Sequence, residues 1–182
     1  MRRTVSCLAV LLLTTAVARA TVILPAEFRE VVTGSQIIAY GRVADVRAEW
    51  APGRRGIDSI VTFEVATYLK GGPSETVTFR VPGGQIGRYK NVLVGAPEFN
   101  PGDEAVLFLT ASGPAIASVF GLNQGVYRVR TDPQSGRRIV VMPPVMARGD
   151  ADERVTRGAV TRKSLGLDAF AEQVRVVMGG AR

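Results

Sequence analysis

Apolar and polar residues alternate along much of the first half of the chain, and the alternation stops where glycine and proline residues gather. A period of two puts successive side chains on opposite faces, as in a strand that is buried on one face. The pattern predicts three strands, over residues 36–49, 58–69 and 76–81. Gly41 interrupts the first of them and predicts a bulge or a sharp bend. Long, bent strands of this kind favour a mainly β fold.

The second half of the chain predicts shorter strands. Residues 105–110 are almost wholly apolar, which is typical of a central strand. Weaker patterns predict strands over 115–121 and 125–130, and a turn at residues 132–136 leads into another strand over 137–142. Six or seven antiparallel strands with regular turns favour a small barrel over a sandwich, because the early strands are long and bent.

Helices are predicted on both sides of the strands. Over residues 24–33, Pro25 suits the first helical position. Apolar residues return at helical spacing near the other end, at Leu167, Phe170, Val174 and Val177. Ser164 or Asp168 is the predicted cap of this second helix, and Gly179 is its predicted stop.

Residues 1–20 have the pattern of a secretory signal peptide. Arg2 and Arg3 form a positive n-region, residues 5–13 are apolar, and residues 18–20 form an A-x-A cleavage site. We expect cleavage between Ala20 and Thr21 and a secreted or periplasmic protein. The apolar run is shorter than the roughly 20 residues of a membrane anchor, so no transmembrane segment is predicted.

The chain has no histidine, and its single cysteine, Cys7, lies in the predicted signal segment. These side chains are the ones most used for nucleophilic catalysis, for proton transfer near neutral pH and for binding transition metals. The composition therefore predicts a non-catalytic protein with no metal or cofactor. An exported chain without disulfides is also more typical of bacteria than of small animal extracellular domains.

The charge of the chain is mildly positive. The net charge of +7 falls to +4 on cleavage, because Arg2, Arg3 and Arg19 leave with the signal segment. This surplus favours anionic partners such as envelope polymers or phospholipid head groups. It lacks the concentrated basic face of a nucleic-acid binder, and no nucleic-acid partner is predicted.

The expected organisation is one folded unit with a loose insertion. Residues 21–142 would form the barrel with its N-terminal helix, and residues 143–163 would form a polar linker with too few apolar residues to order it. Residues 164–182 would then form a C-terminal helix that packs back on the barrel.

Three stretches carry a family resemblance: residues 35–43, residues 62–71 with 76–79, and residues 99–109. They resemble the first strand, the second and third strands, and the strand after the long loop of the netrin-like oligonucleotide/oligosaccharide-binding (OB) barrel of metalloproteinase inhibitors. The resemblance covers about residues 35–110 and implies a small OB-like antiparallel barrel. That family inhibits through an N-terminal cysteine held by disulfides, whereas the expected terminus here is Thr21, so only the fold is implied.

Four arginines form the main candidate binding site: Arg128, Arg130, Arg137 and Arg138. Alternation places Arg128 and Arg130 on one face of a strand, with one arginine of the later pair nearby on the partner strand. The functional interpretation is a cationic patch for a phosphate, sulfate or uronate polymer. The alternative is an ordinary solvated strand face.

Weaker motifs have simpler explanations. The tripeptide Arg148-Gly149-Asp150 matches an integrin-recognition motif, but so short a motif often occurs by chance. Asp150, Asp152 and Glu153 form an acidic cluster that lacks the further ligands of a calcium-binding loop. Residues 83–98, with four glycines, predict a loop rather than a phosphate-binding element.

Two further side-chain sets stay open. Trp50, Tyr40 and Tyr68 could form a sugar-stacking surface or serve as core and cross-strand partners. A pair of carboxylates could cleave glycosides without histidine or cysteine. The acids on the long strands are Asp45, Glu49, Asp58 and Glu64.

The sequence therefore favours a secreted, non-catalytic β-barrel module that binds a protein or an anionic glycan. The alternatives are a protease-inhibitor-like protein, a structural protein of the envelope or matrix, and a carboxylate-dependent glycan hydrolase. A hydrolase would release reducing ends from a glycan, and a structural protein would sediment with cell-wall material.

The signal segment gives a direct test. Mass spectrometry of the exported protein should find Thr21 at its N-terminus, because signal peptidase cuts after the A-x-A motif. A mature protein that begins at Met1 would contradict the interpretation.

Overall fold

The computed structural model describes residues 25–72, 74–111, 115–143 and 165–180. Among these residues, the first and last regular elements are helices α1 (Phe28–Gly34) and α2 (Leu167–Gly179). The strands are β1 (Ile37–Trp50), β2 (Ile57–Lys70), β3 (Thr76–Pro82), β4 (Gly84–Ile86), β5 (Tyr89–Asn91), β6 (Glu104–Thr110), β7 (Ala117–Val119), β8 (Val126–Thr131), β9 (Arg138–Val141) and β10 (Leu165–Gly166). A 3-10 turn, Pro52–Arg54, links β1 to β2.

Five strands close into a barrel in the order β1-β2-β3-β7-β6, because β6 pairs back onto β1. Strands β8, β9 and β10 continue the sheet from β6. The expected mainly β fold, a small OB-like barrel with a helix toward each end, is confirmed. One detail differs from the expected antiparallel pattern: the ring closes through a parallel pairing of β3 and β7, at Phe79 with Ala117.

Strand β1 belongs to two pairings at once. It pairs with β2 along its length and with β6 over Ile37–Arg42. The β1–β2 register shifts between Tyr40 and Gly41, which confirms the predicted bulge. A Cβ atom at Gly41 would lie 1.9 Å from the backbone oxygen of Glu64 and 2.9 Å from the Phe63 ring. Only a residue without a side chain fits this approach.

Two apolar clusters form the core of the part of the chain that the structure describes. The barrel interior contains one of them, built around Phe63, Phe79 and Leu107. The second lies between the outer face of the sheet and the two helices. Its centre is an aromatic group in which Phe170 of α2 lies 5.0 Å from Tyr127 and 6.3 Å from Phe108, measured between ring centroids. The buried Phe170 and Val174 therefore attach α2 to the barrel.

Several predicted boundaries shift. Helix α1 begins at Phe28 rather than near Pro25, because Glu27 and Glu30 form a reciprocal capping box. The N-cap of α2 is Gly166, which makes no side-chain hydrogen bond. Asp168, one of the two predicted caps, therefore lies inside the first turn. Residues 83–98 are not all loop, since β4 and β5 form a hairpin there. The signal segment, residues 144–164 and the motifs within them lie outside the described residues.

Replacement of Gly41 should test the shared strand. Gly41→Ala forces a methyl group into the backbone of β2, and we expect a loss of about 3 kcal/mol in the free energy of unfolding, measured by urea denaturation. Gly179→Ala is the control, since nothing lies within 4 Å of its Cβ position. Equal stability of the two variants would contradict the close approach.

Candidate binding surfaces

The structure divides the predicted arginines between the two faces of the β8–β9 pair. Arg130 of β8 pairs with Ile139, and Thr131 pairs with Arg138. Since side chains alternate along a strand, Arg128 and Arg130 share one face, while Arg138 lies on the other. Arg130 and Arg137 are exposed and form no ion pair with the described residues.

The guanidinium group of Arg128 is bound by neighbouring residues of the protein itself. Its Nη1 donates to Asp103 Oδ2 at 2.6 Å, and its Nη2 donates to the backbone oxygen of Glu98. The guanidinium carbon also lies 5.0 Å from the centroid of the Phe99 ring. These contacts tie the loop before β6 to β8, so Arg128 has a structural role.

A concave site lies where β1, β2 and β6 meet. Its polar lining residues are Tyr40, Arg42, Glu64, Glu104 and Arg138, around a volume of about 350 Å³. We call this site the mixed-charge groove. The register places Arg42 opposite Glu64 on one side and opposite Glu104 on the other, so the barrel closure itself brings these side chains together.

Hydrogen bonds link the groove residues in two sets. Arg42 Nη2 donates to Glu64 Oε2 at 2.8 Å. Arg138 Nη1 donates to the Tyr40 hydroxyl oxygen at 2.6 Å, and that hydroxyl donates to Glu104 Oε2 at 3.0 Å. Burial, followed by the hydrogen bond to Glu104, raises the pKa of Tyr40 above its usual 10.0. The phenol therefore stays a neutral donor throughout the physiological pH range.

The groove keeps unused hydrogen-bonding capacity. The Arg42 and Arg138 side chains are 59% and 54% exposed. Each guanidinium has five N–H donors, and the contacts above use only one or two of them. The groove therefore offers donors and acceptors side by side, which suits a polar ligand with hydroxyl and carboxylate groups.

The carboxylates considered for glycoside hydrolysis are spread over the sheet. Glu49 and Asp58 are direct cross-strand partners, and Glu64 lies in the mixed-charge groove. Arg47 lies 3.3 Å from Glu49, and Arg80 lies 3.6 Å from Asp58, as measured between side-chain nitrogen and oxygen atoms. Ion pairs with neighbouring arginines account for these positions.

A second exposed surface lies at the end of the barrel where β1 stops. Trp50 and Tyr89 pack edge to face with ring centroids 5.6 Å apart, and Arg54 and Arg88 lie 5.3 and 5.1 Å from these rings. Beyond Tyr89, the consecutive residues Val92, Leu93 and Val94 are exposed. We call these seven residues the barrel-end surface: Trp50, Arg54, Arg88, Tyr89, Val92, Leu93 and Val94.

The sequence did not reveal this surface. Alternation in β4 and β5 covers only three residues each, too few for a periodic signal, and the glycines nearby indicated a loop. The proposed grouping of Trp50 with Tyr40 and Tyr68 is not found: Tyr40 lies in the mixed-charge groove, and Tyr68 packs against the interior cluster. Trp50 has Tyr89 as its partner instead.

Comparisons of the chain with protein-family models, with curated proteins and with solved structures gave no match. Among the described residues, no helix is both long enough and apolar enough to cross a bilayer. The function is therefore inferred from the chain's own geometry.

The raised pKa of Tyr40 predicts a pH effect. The folded state holds this proton to a higher pH than the unfolded state, so the free energy of unfolding should fall as pH rises above about 10. In an ultraviolet titration of tyrosinate, Tyr40→Phe should remove a step that ionises above the usual tyrosine pKa, while Tyr89→Phe should leave that step in place. Persistence of that step in Tyr40→Phe would contradict the assignment.

Proposed function

We propose that the protein is an exported, non-catalytic β-barrel module that binds an anionic glycan in the mixed-charge groove. The observation that carries the proposal is the pair of half-exposed guanidinium groups, Arg42 and Arg138, held across one concave site with donors to spare. Export to the periplasm or the exterior, as the signal segment predicts, would place the groove among envelope polymers.

The chemistry of the groove matches an acidic sugar. A uronate carries hydroxyl groups that both donate and accept, and Glu64 and Glu104 supply acceptors for them. Its carboxylate fits the planar fork of an arginine, which binds such groups through two parallel hydrogen bonds. Of the four arginines predicted from sequence, Arg138 belongs to this site, and Arg130 and Arg137 are additional cations outside it.

A protein partner is the second candidate. An aspartate or glutamate side chain presents the same carboxylate to Arg42 and Arg138, so an acidic protein segment could use the same contacts. A glycan hydrolase is the less favoured alternative, because it needs one carboxyl group that donates a proton. Glu64 and Glu104 are instead each in contact with an arginine.

Calorimetric titration with polygalacturonate and with its methyl ester tests the proposal. The acid should bind and the neutral ester should not, since esterification removes the carboxylate. Arg42→Ala and Arg138→Ala should each weaken binding about tenfold, because this factor corresponds to the free energy of one charge-assisted hydrogen bond.

Arg47→Ala is the matched control, because Arg47 lies on the same strand, is 62% exposed and forms a similar surface ion pair. Equal losses in Arg42→Ala and Arg47→Ala would contradict a specific groove. Release of reducing ends during the titration would instead support the hydrolase alternative, and binding of an acidic peptide alone would favour a protein partner.

A further inference from the structure

The barrel-end surface leaves large apolar side chains in solvent. Val94 is 89% exposed, Val92 is 64% exposed and Leu93 is 47% exposed, and they follow one another in a loop. Single exposed apolar residues are normal on protein surfaces, but a contiguous run of them marks an interaction site. The neighbouring Trp50 and Tyr89 extend the run with two partly exposed rings.

Basic residues predominate around this apolar run, although the exposed Glu98 lines the same cavity as Val92 and Leu93. The two segments that build it, residues 50–57 and 84–96, contain four basic residues and no acidic one. Arg54, Arg55, Arg88 and Lys90 are all exposed. The combination is therefore an apolar tip with exposed cations on the segments that carry it, and an anionic partner would complement it.

We propose that the barrel-end surface docks on a bilayer of anionic phospholipid. Val92, Leu93 and Val94 would enter the boundary of the acyl chains, where apolar side chains of peripheral proteins are buried. Trp50 and Tyr89 would lie at the level of the head groups, which amphipathic rings prefer. The four cations would contact the lipid phosphates.

The shape of the tip favours a membrane over a protein partner. Val94 projects almost fully into solvent. A fluid bilayer accepts such a projection without a matching surface, whereas a protein interface needs shape complementarity at its core.

This docking goes beyond the proposed function and uses a different part of the barrel. Trp50 at the barrel end lies eight positions after Arg42 of the groove along β1, about 26 Å at roughly 3.3 Å per residue. A module held by its end would keep the groove on its exposed flank. Binding of glycan and binding of lipid can therefore be tested separately.

Vesicle flotation of the purified exported protein tests the docking. Equimolar phosphatidylglycerol and phosphatidylcholine vesicles should carry the protein with them, and phosphatidylcholine vesicles should not. Trp50 is the only tryptophan of the chain, so its fluorescence reports on this surface alone. The emission should move to shorter wavelength with the anionic vesicles, and brominated lipid should quench it.

A pair of matched variants makes the test specific. Val92 and Val176 are both 64% exposed, but Val176 lies on α2. Val92→Asp should lower vesicle binding at least tenfold, while Val176→Asp should not change it. Arg88→Glu should lower binding to the anionic vesicles, with Arg137→Glu as the control, and circular dichroism should show that all four variants fold.

Three results would overturn the proposal. They are no flotation with anionic vesicles, equal loss in Val92→Asp and Val176→Asp, and flotation without any change in Trp50 fluorescence. Photo-crosslinking from position 93 that captures a protein, in the absence of vesicle binding, would assign the surface to a protein interface instead. Arg42→Ala should bind vesicles normally, so failure of the groove proposal leaves this result unaffected.

Discussion

The close approach of β1 to β2 at Gly41 is the constraint on which the barrel depends. Strand β1 must hydrogen-bond to β2 on one edge and to β6 on the other, and it can do so only by bending. The bulge at Gly41 supplies the bend, and the missing side chain admits the Glu64 carbonyl. Without this bend, β1 could not pair with β6, so the sheet would remain open and its edge strands would lack partners.

Closure of the barrel also creates the mixed-charge groove. In a closed sheet the side chains alternate between the packed interior and the outer face. The helices cover part of that outer face with the second apolar cluster, and Tyr40 packs at the border of this cluster. Beyond the border the same strands present Arg42, Glu64 and Glu104, so the groove begins where the apolar cover ends.

The barrel-end surface has a different physical origin. The β4–β5 hairpin is anchored by hydrogen bonds from the Gly83 amide and from Asn91 Nδ2 to the Ile57 carbonyl oxygen, and from the Ser59 hydroxyl to the Gly83 carbonyl oxygen. These contacts hold the base of the hairpin, and the apolar residues that follow stay exposed, Val94 most of all. Loops on a rigid scaffold often carry binding residues for this reason, because they are free of the packing demands of the core.

The sequence by itself determined the local elements: both helices, the long strands, the bulge at Gly41 and the buried strand β6. Each depends on a period of two or of 3.6, or on the backbone freedom of glycine, and those are properties of neighbouring residues. Only the tertiary structure decided which residues share a site. Arg42 is paired with Glu104, which lies 62 positions later in the chain. Tyr40 accepts a hydrogen bond from Arg138, which lies 98 positions later. The period of a strand decides which of its side chains share a face, but which distant residues they meet depends on the strands that the closed barrel brings together.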